Sequence, residues 1–359
     1  MEFINLKAQY QAYKNEIDKE IADVLDSSIY IGGPKLQELE KNLASFVGVK
    51  EAIGCSSGTD ALLLALMALD IKEGNEVITT PFTFIATAEM IAFVGAKPVF
   101  VDIDEKTFNI DVNKIEKKIT PKTKAIMPVS LFGQVANMDK INEIAKQYNL
   151  AVIEDGAQSF GAEYKSKKSG NLSTIGTTSF FPAKPLGCYG DGGAIFTNDK
   201  ALAKKIRVLL NHGQTKRYEH TLIGINGRLD AIQAAVLNVK LKHYEQEINK
   251  RQEIAKVYSQ NLKDVVVPFV PKENLSVWAQ YCIRVKDREK MIQKCQDRNI
   301  PTAIYYPKPL HLQEAFSYLG HKEGDFPISE KVSKDILALP MSAFLTKEEQ
   351  EKVIEVING

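Results

Sequence analysis

A chain of 359 residues, 44% of them hydrophobic, can bury one large core and a smaller second one, which favours a globular enzyme and excludes a disordered protein. The 46 basic side chains nearly cancel the 45 acidic ones, so no net field draws the chain to nucleic acid or to an anionic membrane. Anionic ligands would have to be held by local groups.

The cysteines and the N-terminal segment predict the compartment. Cys55, Cys188, Cys282 and Cys295 are isolated, with no Cys-x-x-Cys pair and no histidine at ligand spacing, so we expect neither a metal site nor a disulfide framework. Residues 1–7 lack the apolar core of a signal peptide, and no apolar run is long enough to span a bilayer. We therefore expect a cytoplasmic protein with no membrane and no nucleic-acid partner.

From about residue 50 onward, short apolar segments alternate with amphipathic ones, which predicts an α/β sheet. Helices are expected over residues 60–69 and 138–148. Polar side chains follow several of the strands, where open α/β sheets bind their ligands. The predicted strands are Glu76–Thr79, Pro98–Asp102, Ala125–Val129, Ala151–Glu154 and Gly193–Phe196.

The C-terminal third has a different pattern. Long, charged helices are predicted from Leu229 to Leu262, and a strand-like stretch from Trp278 to Val285 follows. We predict a large domain over residues 1–249, which includes an N-terminal helical segment, and a smaller domain over residues 250–359.

An anion site is expected where Ser57, Gly58, Thr59 and Asp60 precede the apolar helix that begins at Ala61. A helix N-terminus combines free N–H groups with the positive end of the helix dipole, and glycine allows the backbone to approach a ligand closely. The alternative is an ordinary N-cap, in which these side chains only satisfy helix amides.

Lys184 is the candidate nucleophile. It lies between Pro182 and Pro185, which predicts an extended, ordered backbone, and a glycine-rich run from Gly187 to Gly193 follows. The preceding Phe180-Phe181 pair indicates a buried segment, in which an amine could stay neutral. The alternative is a solvated surface lysine. The glycine run lacks the complete G-x-G-x-x-G spacing of a dinucleotide site.

Asp155 directly follows an apolar strand, where an acid is poorly solvated unless it has a partner. Together with Lys184 it suggests pyridoxal phosphate, which needs an amine to hold its aldehyde as a Schiff base and a carboxylate to keep its pyridine nitrogen protonated. The alternatives for Asp155 are a cap or a salt bridge. Gln158 could hydrogen-bond the ring hydroxyl or stabilise the turn.

These segments, in this order, resemble the DegT/DnrJ/StrS family of pyridoxal phosphate-dependent nucleotide-sugar aminotransferases. The resemblance implies fold type I, the aspartate aminotransferase-like fold, with a mixed, mostly parallel sheet in the large domain and a smaller C-terminal α+β domain. It covers nearly the whole chain and is carried by Ser57–Leu62, Pro81–Thr87, Ile153–Gln158, Ser179–Lys184, Asp191–Gly193, Gly224–Asp230 and Pro309–His311.

The resemblance also implies roles. Lys184 would hold pyridoxal 5'-phosphate and shuttle a proton, and the cofactor would become pyridoxamine 5'-phosphate during the cycle. Asp155 would pair with the pyridine nitrogen and Gln158 with the ring hydroxyl. Phe84 would stack on the ring, although an aromatic residue there could equally be core.

The same resemblance predicts the phosphate site and a partner subunit. The phosphate would be cradled by Gly58, Thr59, Asp60 and Ser179, with Asn226 reaching in from a second subunit, which implies at least a homodimer with shared active sites.

Lys184 favours transamination, because members of the family with histidine at this position are dehydratases. L-glutamate is the expected donor. The glycine-rich run and Asn226–Asp230 resemble the branch that aminates C3 of keto sugars, in particular UDP-2-acetamido-2-deoxy-3-keto-glucuronate. Arg228 would then bind the sugar carboxylate. His311 could contact the substrate or be structural.

Other functions remain open at this stage. Related enzymes that act on uncharged sugars also carry an arginine, so a dTDP-3-keto-6-deoxyhexose or a 4-keto-6-deoxy nucleotide sugar is the alternative substrate. A pyridoxal phosphate-binding regulatory protein would be expected to lose Lys184 or Asp155, and this chain keeps both. An α/β oxidoreductase is disfavoured because the dinucleotide fingerprint is missing.

Overall fold

The computed structural model describes residues 1–359. The helices are α1 (Leu6–Ser27), α2 (Gly33–Val47), α3 (Gly58–Ala68), α4 (Ala86–Phe93), α5 (Met138–Tyr148), α6 (Lys200–Leu209), α7 (Ala231–Asn261), α8 (Arg288–Asp297), α9 (Pro327–Asp335) and α10 (Lys347–Asn358). The strands are β1 (Glu51–Cys55), β2 (Glu76–Thr79), β3 (Lys97–Phe100), β4 (Thr123–Ile126), β5 (Ala151–Asp155), β6 (Glu163–Tyr164), β7 (Lys167–Lys168), β8 (Ile175–Ser179), β9 (Gly193–Thr197), β10 (Gln214–Lys216), β11 (Glu219–His220), β12 (Asn274–Leu275), β13 (Tyr281–Arg284) and β14 (Ile336–Leu339).

The main sheet has seven strands in the order β1-β9-β8-β5-β4-β2-β3. Every neighbouring pair is parallel except the two that involve β9, which runs antiparallel to β8 and to β1. Because β9 alone is reversed, its first residue, Gly193, pairs with the last residues of the strands on either side, Cys55 and Ser179. β1, β5 and β8 therefore all end on the same side of the sheet, which is the side where open α/β sheets bind ligands.

Helices cover both faces of this sheet. One face packs its apolar residues against α3, α4 and α6, and α3 is buried almost all round because Ala61 to Leu66 are apolar without interruption. The other face packs against α2, α5 and α7. Burial on both faces explains why the central strands are continuous apolar runs, and it confirms the α/β prediction.

α7 is a single helix of 31 residues, where several helices were predicted. Its first half packs on the main sheet. Its last turns contribute Ile254, Ala255 and Tyr258 to a separate C-terminal core, together with β13, β14, α8 and α10. Since α7 runs unbroken through residues 249 and 250, the domain boundary placed there stays a prediction.

Element bounds differ from the predictions mainly at strand ends. β2 and α5 have the predicted bounds, whereas the strand predicted over Trp278–Val285 is confined to Tyr281–Arg284. Trp278 lies outside the strand with a left-handed φ of 51°, and its N–H donates to the Ser276 hydroxyl at 3.1 Å. All four cysteines are buried and free. None of the helices combines the length and the apolar character needed to cross a bilayer.

Candidate active site

Asp155 ends β5, the central strand of the sheet, and is only 4% exposed. Its carboxylate accepts hydrogen bonds from the Thr87 hydroxyl at 2.7 Å and from the Ala157 N–H at 3.2 Å. Burial raises the pKa of this carboxyl, while these two donors and the charge of Lys184 act in the opposite direction. An acid held in this way needs a cationic partner to remain ionised.

Lys184 lies in the loop between β8 and β9, close enough to Asp155 for the two charges to interact. Its backbone is in a turn rather than extended as predicted, because its N–H donates to the Phe181 carbonyl at 2.8 Å. Burial lowers the pKa of the amine, and Asp155 partly opposes that shift. Lys184 is partly buried, which argues against a freely solvated surface lysine, and its role as a nucleophile stays a prediction.

The predicted anion site is the first turn of α3. The Ser57 hydroxyl accepts from the Asp60 N–H at 3.0 Å, and the Ser56 hydroxyl binds the Asp60 carboxylate. Ser57 is thus the N-cap residue, as the alternative interpretation allowed, whereas the Asp60 carboxylate satisfies no helix amide. The N–H groups of Gly58 and Thr59 have no acceptor in the chain.

Only glycine fits at position 58. A Cβ atom there would lie 2.5 Å from Cβ of Ser179, the last residue of β8. The start of α3 is therefore pressed against the end of β8, and the Ser179 side chain stands beside the two free amides. This arrangement suits a phosphate group.

Gln158 is 5% exposed and its amide is oriented from two sides. Its Oε1 accepts from the Phe132 N–H at 2.8 Å, and its Nε2 donates to the Tyr306 hydroxyl at 2.9 Å. Both contacts come from segments outside the motif in which Gln158 was found.

Phe84 is 56% exposed, so the alternative that it is a core residue is wrong. It lies between β2 and α4, and the chain on either side of it is fixed by hydrogen bonds. Thr87 donates to Asp155, and the Pro81 carbonyl accepts from the Leu310 N–H at 2.7 Å.

Asn226 and Arg228 flank Gly227, whose carbonyl accepts from the Ser56 N–H at 2.9 Å. The segment therefore runs beside the start of α3 of its own chain, and Asn226 is exposed there. Arg228 donates through Nη1 to the Asn211 amide oxygen at 2.7 Å, while its Nε is buried without a partner. Buried donors in proteins nearly always have an acceptor, so the unpaired Nε–H of Arg228 could donate a hydrogen bond to a ligand.

His311 is not brought into this group. Its ring is 2% exposed, lies 4.6 Å from the Phe326 ring between centroids, and pairs through Nε2 with Glu330 at 3.0 Å. Burial lowers the pKa of the imidazole. These contacts support the structural alternative for His311.

Sequence reasoning missed Thr87 and Tyr306. Thr87 was quoted within a motif but given no role, although it supplies the shortest hydrogen bond to Asp155. Tyr306 is 148 positions from Gln158, and no local signal connects the two. The aromatic pair Tyr305-Tyr306 ahead of Pro307 was the only available hint.

Residues 11–358 match the DegT/DnrJ/EryC1/StrS aminotransferase family. The chain is 51% identical to the UDP-2-acetamido-2-deoxy-3-oxo-D-glucuronate aminotransferase of Pseudomonas aeruginosa, over 96% of each chain. It is 47% identical to a pleiotropic regulatory protein of Geobacillus stearothermophilus, over 99% of this chain and 96% of that one. It is 43% identical to the dTDP-3-amino-3,6-dideoxy-alpha-D-galactopyranose transaminase of Aneurinibacillus thermoaerophilus, over 99% and 98%.

Among solved structures, DesV of S. venezuelae in complex with a ketimine intermediate superposes with a TM-score of 0.98 at 37% identity, covering 99% of this chain and 97% of that one. This agreement confirms fold type I of the pyridoxal phosphate-dependent transferases. On the family match and these identities, the chain belongs to the DegT/DnrJ/EryC1/StrS aminotransferase family.

Proposed function

We propose that this aminotransferase uses pyridoxal 5'-phosphate to transfer the amino group of L-glutamate to C3 of UDP-2-acetamido-2-deoxy-3-keto-glucuronate. The observation that carries the proposal is the placement of Lys184, in the loop after β8, near Asp155, at the end of the neighbouring strand β5. Burial lowers the pKa of the Lys184 amine and raises that of the Asp155 carboxyl. Both groups have lost hydrogen bonds to water, so a bound ligand that replaces those bonds would be favoured.

The residues present fit the cofactor. The phosphate would be held by the free amides of Gly58 and Thr59 and by the Ser179 hydroxyl beside them. Gly58 approaches β8 so closely that no side chain fits at position 58. Asp155 would pair with the ring nitrogen, and Gln158 has an N–H left for the ring hydroxyl after it donates to Tyr306.

Phe84 would cover one face of the ring. As an exposed aromatic side chain beside a polar site, it has the surface that a planar ligand requires. When bound, pyridoxal phosphate supplies an aldehyde that takes up the amino group and a cationic ring that accepts the electron pair left by proton removal.

The role of Lys184 is to move the proton. Its Nζ would take the proton from the amine-bearing carbon of glutamate in the first half-reaction, and would later return a proton to C3 of the sugar. A desolvated amine suits this task, because its lowered pKa keeps more of it in the neutral, basic form near neutral pH. 2-Oxoglutarate leaves before the keto sugar enters, so the kinetics should be ping-pong.

Arg228 supports a uronate as the acceptor substrate. Its buried Nε–H lacks an acceptor, and a guanidinium with one edge free can bind a carboxylate through two parallel hydrogen bonds. The 51% identity to the P. aeruginosa enzyme favours the same substrate, whereas the dTDP-sugar relative is 43% identical.

The retained Lys184 and Asp155 favour an enzyme over a purely regulatory protein, despite the 47% identity to a relative described as regulatory.

We infer a homodimer in which Asn226 contributes to the phosphate site of the partner. Exposed apolar side chains support it, since a partner subunit would remove them from water. They include Ile29, Tyr30, Ile31, Phe181 and Ile223, each at least 44% exposed.

Visible absorbance tests the cofactor. The purified protein should show the absorbance band of bound pyridoxal phosphate, which bleaches when L-glutamate is added. Lys184→Ala should abolish the band, whereas Lys146→Ala, which removes an exposed lysine on α5, should leave it unchanged. A wild-type protein that cannot be loaded with pyridoxal phosphate would overturn the proposal.

A substrate panel tests the sugar. The protein is incubated with L-glutamate and with C3-keto and C4-keto sugars on UDP or dTDP, and product masses are recorded. Fastest amination of the UDP-linked 3-keto uronate is expected. Faster turnover of a dTDP-linked 6-deoxy sugar would assign the alternative substrate instead.

A further inference from the structure

The loop that presents Lys184, residues 181–187, is closed at its base by its own backbone. The Cys188 N–H donates to the Phe180 carbonyl at 2.8 Å, and the Phe180 N–H donates to the Gly192 carbonyl at 2.8 Å. Within the loop, the Lys184 N–H donates to the Phe181 carbonyl at 2.8 Å. These three bonds leave the second half of the loop, from Pro185 to Gly187, without a backbone tie.

The second half of the loop is instead held by α7. The ammonium group of Lys240 donates to the Gly187 carbonyl and lies 5.1 Å from the centroid of the Tyr189 ring. Two residues after Gly187, the Tyr189 N–H donates to Oε1 of Gln233 at 2.8 Å. Gln233 and Lys240 are seven positions apart on α7, so they lie on one face of the helix, two turns from each other.

Lys240 is an unusual residue to find here, because it is only 1% exposed and no carboxylate lies within ion-pair distance of its amine. Burial lowers its pKa to about 8, with Glu247 and Cys188 acting in the opposite direction. Burying a lysine costs free energy that an apolar side chain would not cost. Stability therefore does not account for a lysine at this position, and its amine donates to the Gly187 carbonyl.

Gly187 shows why the tie matters. A Cβ atom at this position would lie 2.8 Å from the Phe181 carbonyl oxygen, so the two ends of the loop are in close contact. A displacement of Gly187 would therefore be transmitted to Phe181, whose carbonyl fixes the Lys184 N–H.

We propose that Lys240 is a positioning residue that fixes the Lys184 loop through the Gly187 carbonyl. This inference rests on the proposed function of Lys184, but the tie itself can be measured in protein that carries no cofactor.

Amide hydrogen exchange of the cofactor-free protein is the first test. Lys240→Met keeps the length of the side chain and removes its donors, and replacing a buried charge by an apolar group is often neutral for folding. The Lys184 and Cys188 amides should then exchange at least about tenfold faster than in wild type, as loss of one hydrogen bond implies. The amides of β9 should be unchanged.

Lys242→Met is the control, because Lys242 is an exposed lysine on the same helix, α7, and the same substitution there removes no buried donor. It should leave the exchange of the loop amides unchanged. Equal protection of the loop in Lys240→Met and wild type would overturn the proposal, and so would a loss of protection spread equally over the loop and β9.

Loading with pyridoxal phosphate is the second test. The visible band should form at least about tenfold more slowly in Lys240→Met, and Lys240→Arg, which keeps a donor, should be faster than Lys240→Met. If Lys240→Met does not fold, Gln233→Ala removes the second tie from the same face. It should speed exchange of the Tyr189 amide, whose acceptor is lost, and leave the Lys184 amide protected. Failure of wild type to load would contradict the proposed function, while the exchange experiment would still decide the role of Lys240.

Discussion

The Thr87 hydroxyl donates to the Asp155 carboxylate at 2.7 Å, joining the start of α4 to the end of β5 inside the buried site. Thr87 is itself fully buried, and its oxygen also lies 3.1 Å from the Thr83 hydroxyl. The bond favours the ionised form of Asp155 against the desolvation that raises its pKa. It also fixes the segment that carries Phe84.

We expect Thr87→Val, which keeps the shape of the side chain and removes the donor, to lower the free energy of unfolding by about 1.5–3 kcal/mol, the usual worth of a hydrogen bond to a charged group. Pyridoxal phosphate should bind about tenfold more weakly, because Asp155 is less readily ionised. Urea unfolding and a cofactor titration measure the two effects. Thr83→Val is the control, since Thr83 does not contact Asp155; equal losses in both variants would contradict the role of Thr87.

Asp155→Asn should separate stability from catalysis. Burial raises the pKa of Asp155 above that in the unfolded chain, so at neutral pH the ionised carboxylate destabilises the cofactor-free fold. The variant removes this cost, and the melting temperature of the cofactor-free protein at pH 7.5 should not fall. Transamination should drop by at least about 10²-fold, since the charge that would stabilise the protonated ring is gone. A large fall in melting temperature with near-normal activity would assign Asp155 a structural role instead.

Sequence reasoning could propose the candidate residues whose signals are local. Asp155 ends a strand, the Ser57–Asp60 turn begins a helix, and Lys184 lies in the loop after β8. Each is marked by composition over a few residues. Because parallel strands end at the same edge of a sheet, these separate motifs could be expected to meet.

The hydrogen bonds that hold Asp155 and the Lys184 loop in place could not be predicted in this way. Thr87 and Asp155 are 68 positions apart, and Lys240 and Gly187 are 53 apart, so only the register of whole elements brings them together. The turn at Lys184 was missed for another reason. Flanking prolines exclude a helix, but they do not distinguish an extended strand from a closed loop. The Phe180–Cys188 backbone bond decides that.

Arg228→Ala should act on the charged sugar alone. The kcat/KM of the Arg228→Ala enzyme for the 3-keto uronate should fall by about 10²-fold, because a hydrogen-bonded pair of guanidinium and carboxylate contributes about 1.5–3 kcal/mol. Activity on an uncharged 6-deoxy keto sugar should change little. Arg228→Lys keeps the charge but not the two parallel donors, and should recover only part of the loss. Equal losses on both sugars would refute the carboxylate role.

Mixing two inactive variants tests whether Asn226 acts across a dimer. Lys184→Ala and Asn226→Ala subunits are unfolded, mixed and refolded together. If Asn226 serves the partner's site, a mixed dimer contains one complete site, and random pairing should restore about a quarter of the wild-type sites. If Asn226 serves its own site, as the contact of Gly227 with Ser56 of the same chain would also allow, no mixed dimer is active. Activity near zero after mixing would therefore contradict the shared site.

His311→Ala should reduce stability and spare catalysis. The imidazole packs on Phe326 and pairs with Glu330, whose carboxylate also accepts the N–H groups of Gly324 and Phe326 at the start of α9. Removing it leaves a cavity and a buried acid with one donor fewer, which should cost about 2–4 kcal/mol of unfolding free energy. His220→Ala, at an exposed position, is the control. The KM for the nucleotide sugar should stay within about threefold of wild type, because no binding contact is lost. A tenfold rise in KM with unchanged urea unfolding would instead place His311 at the substrate.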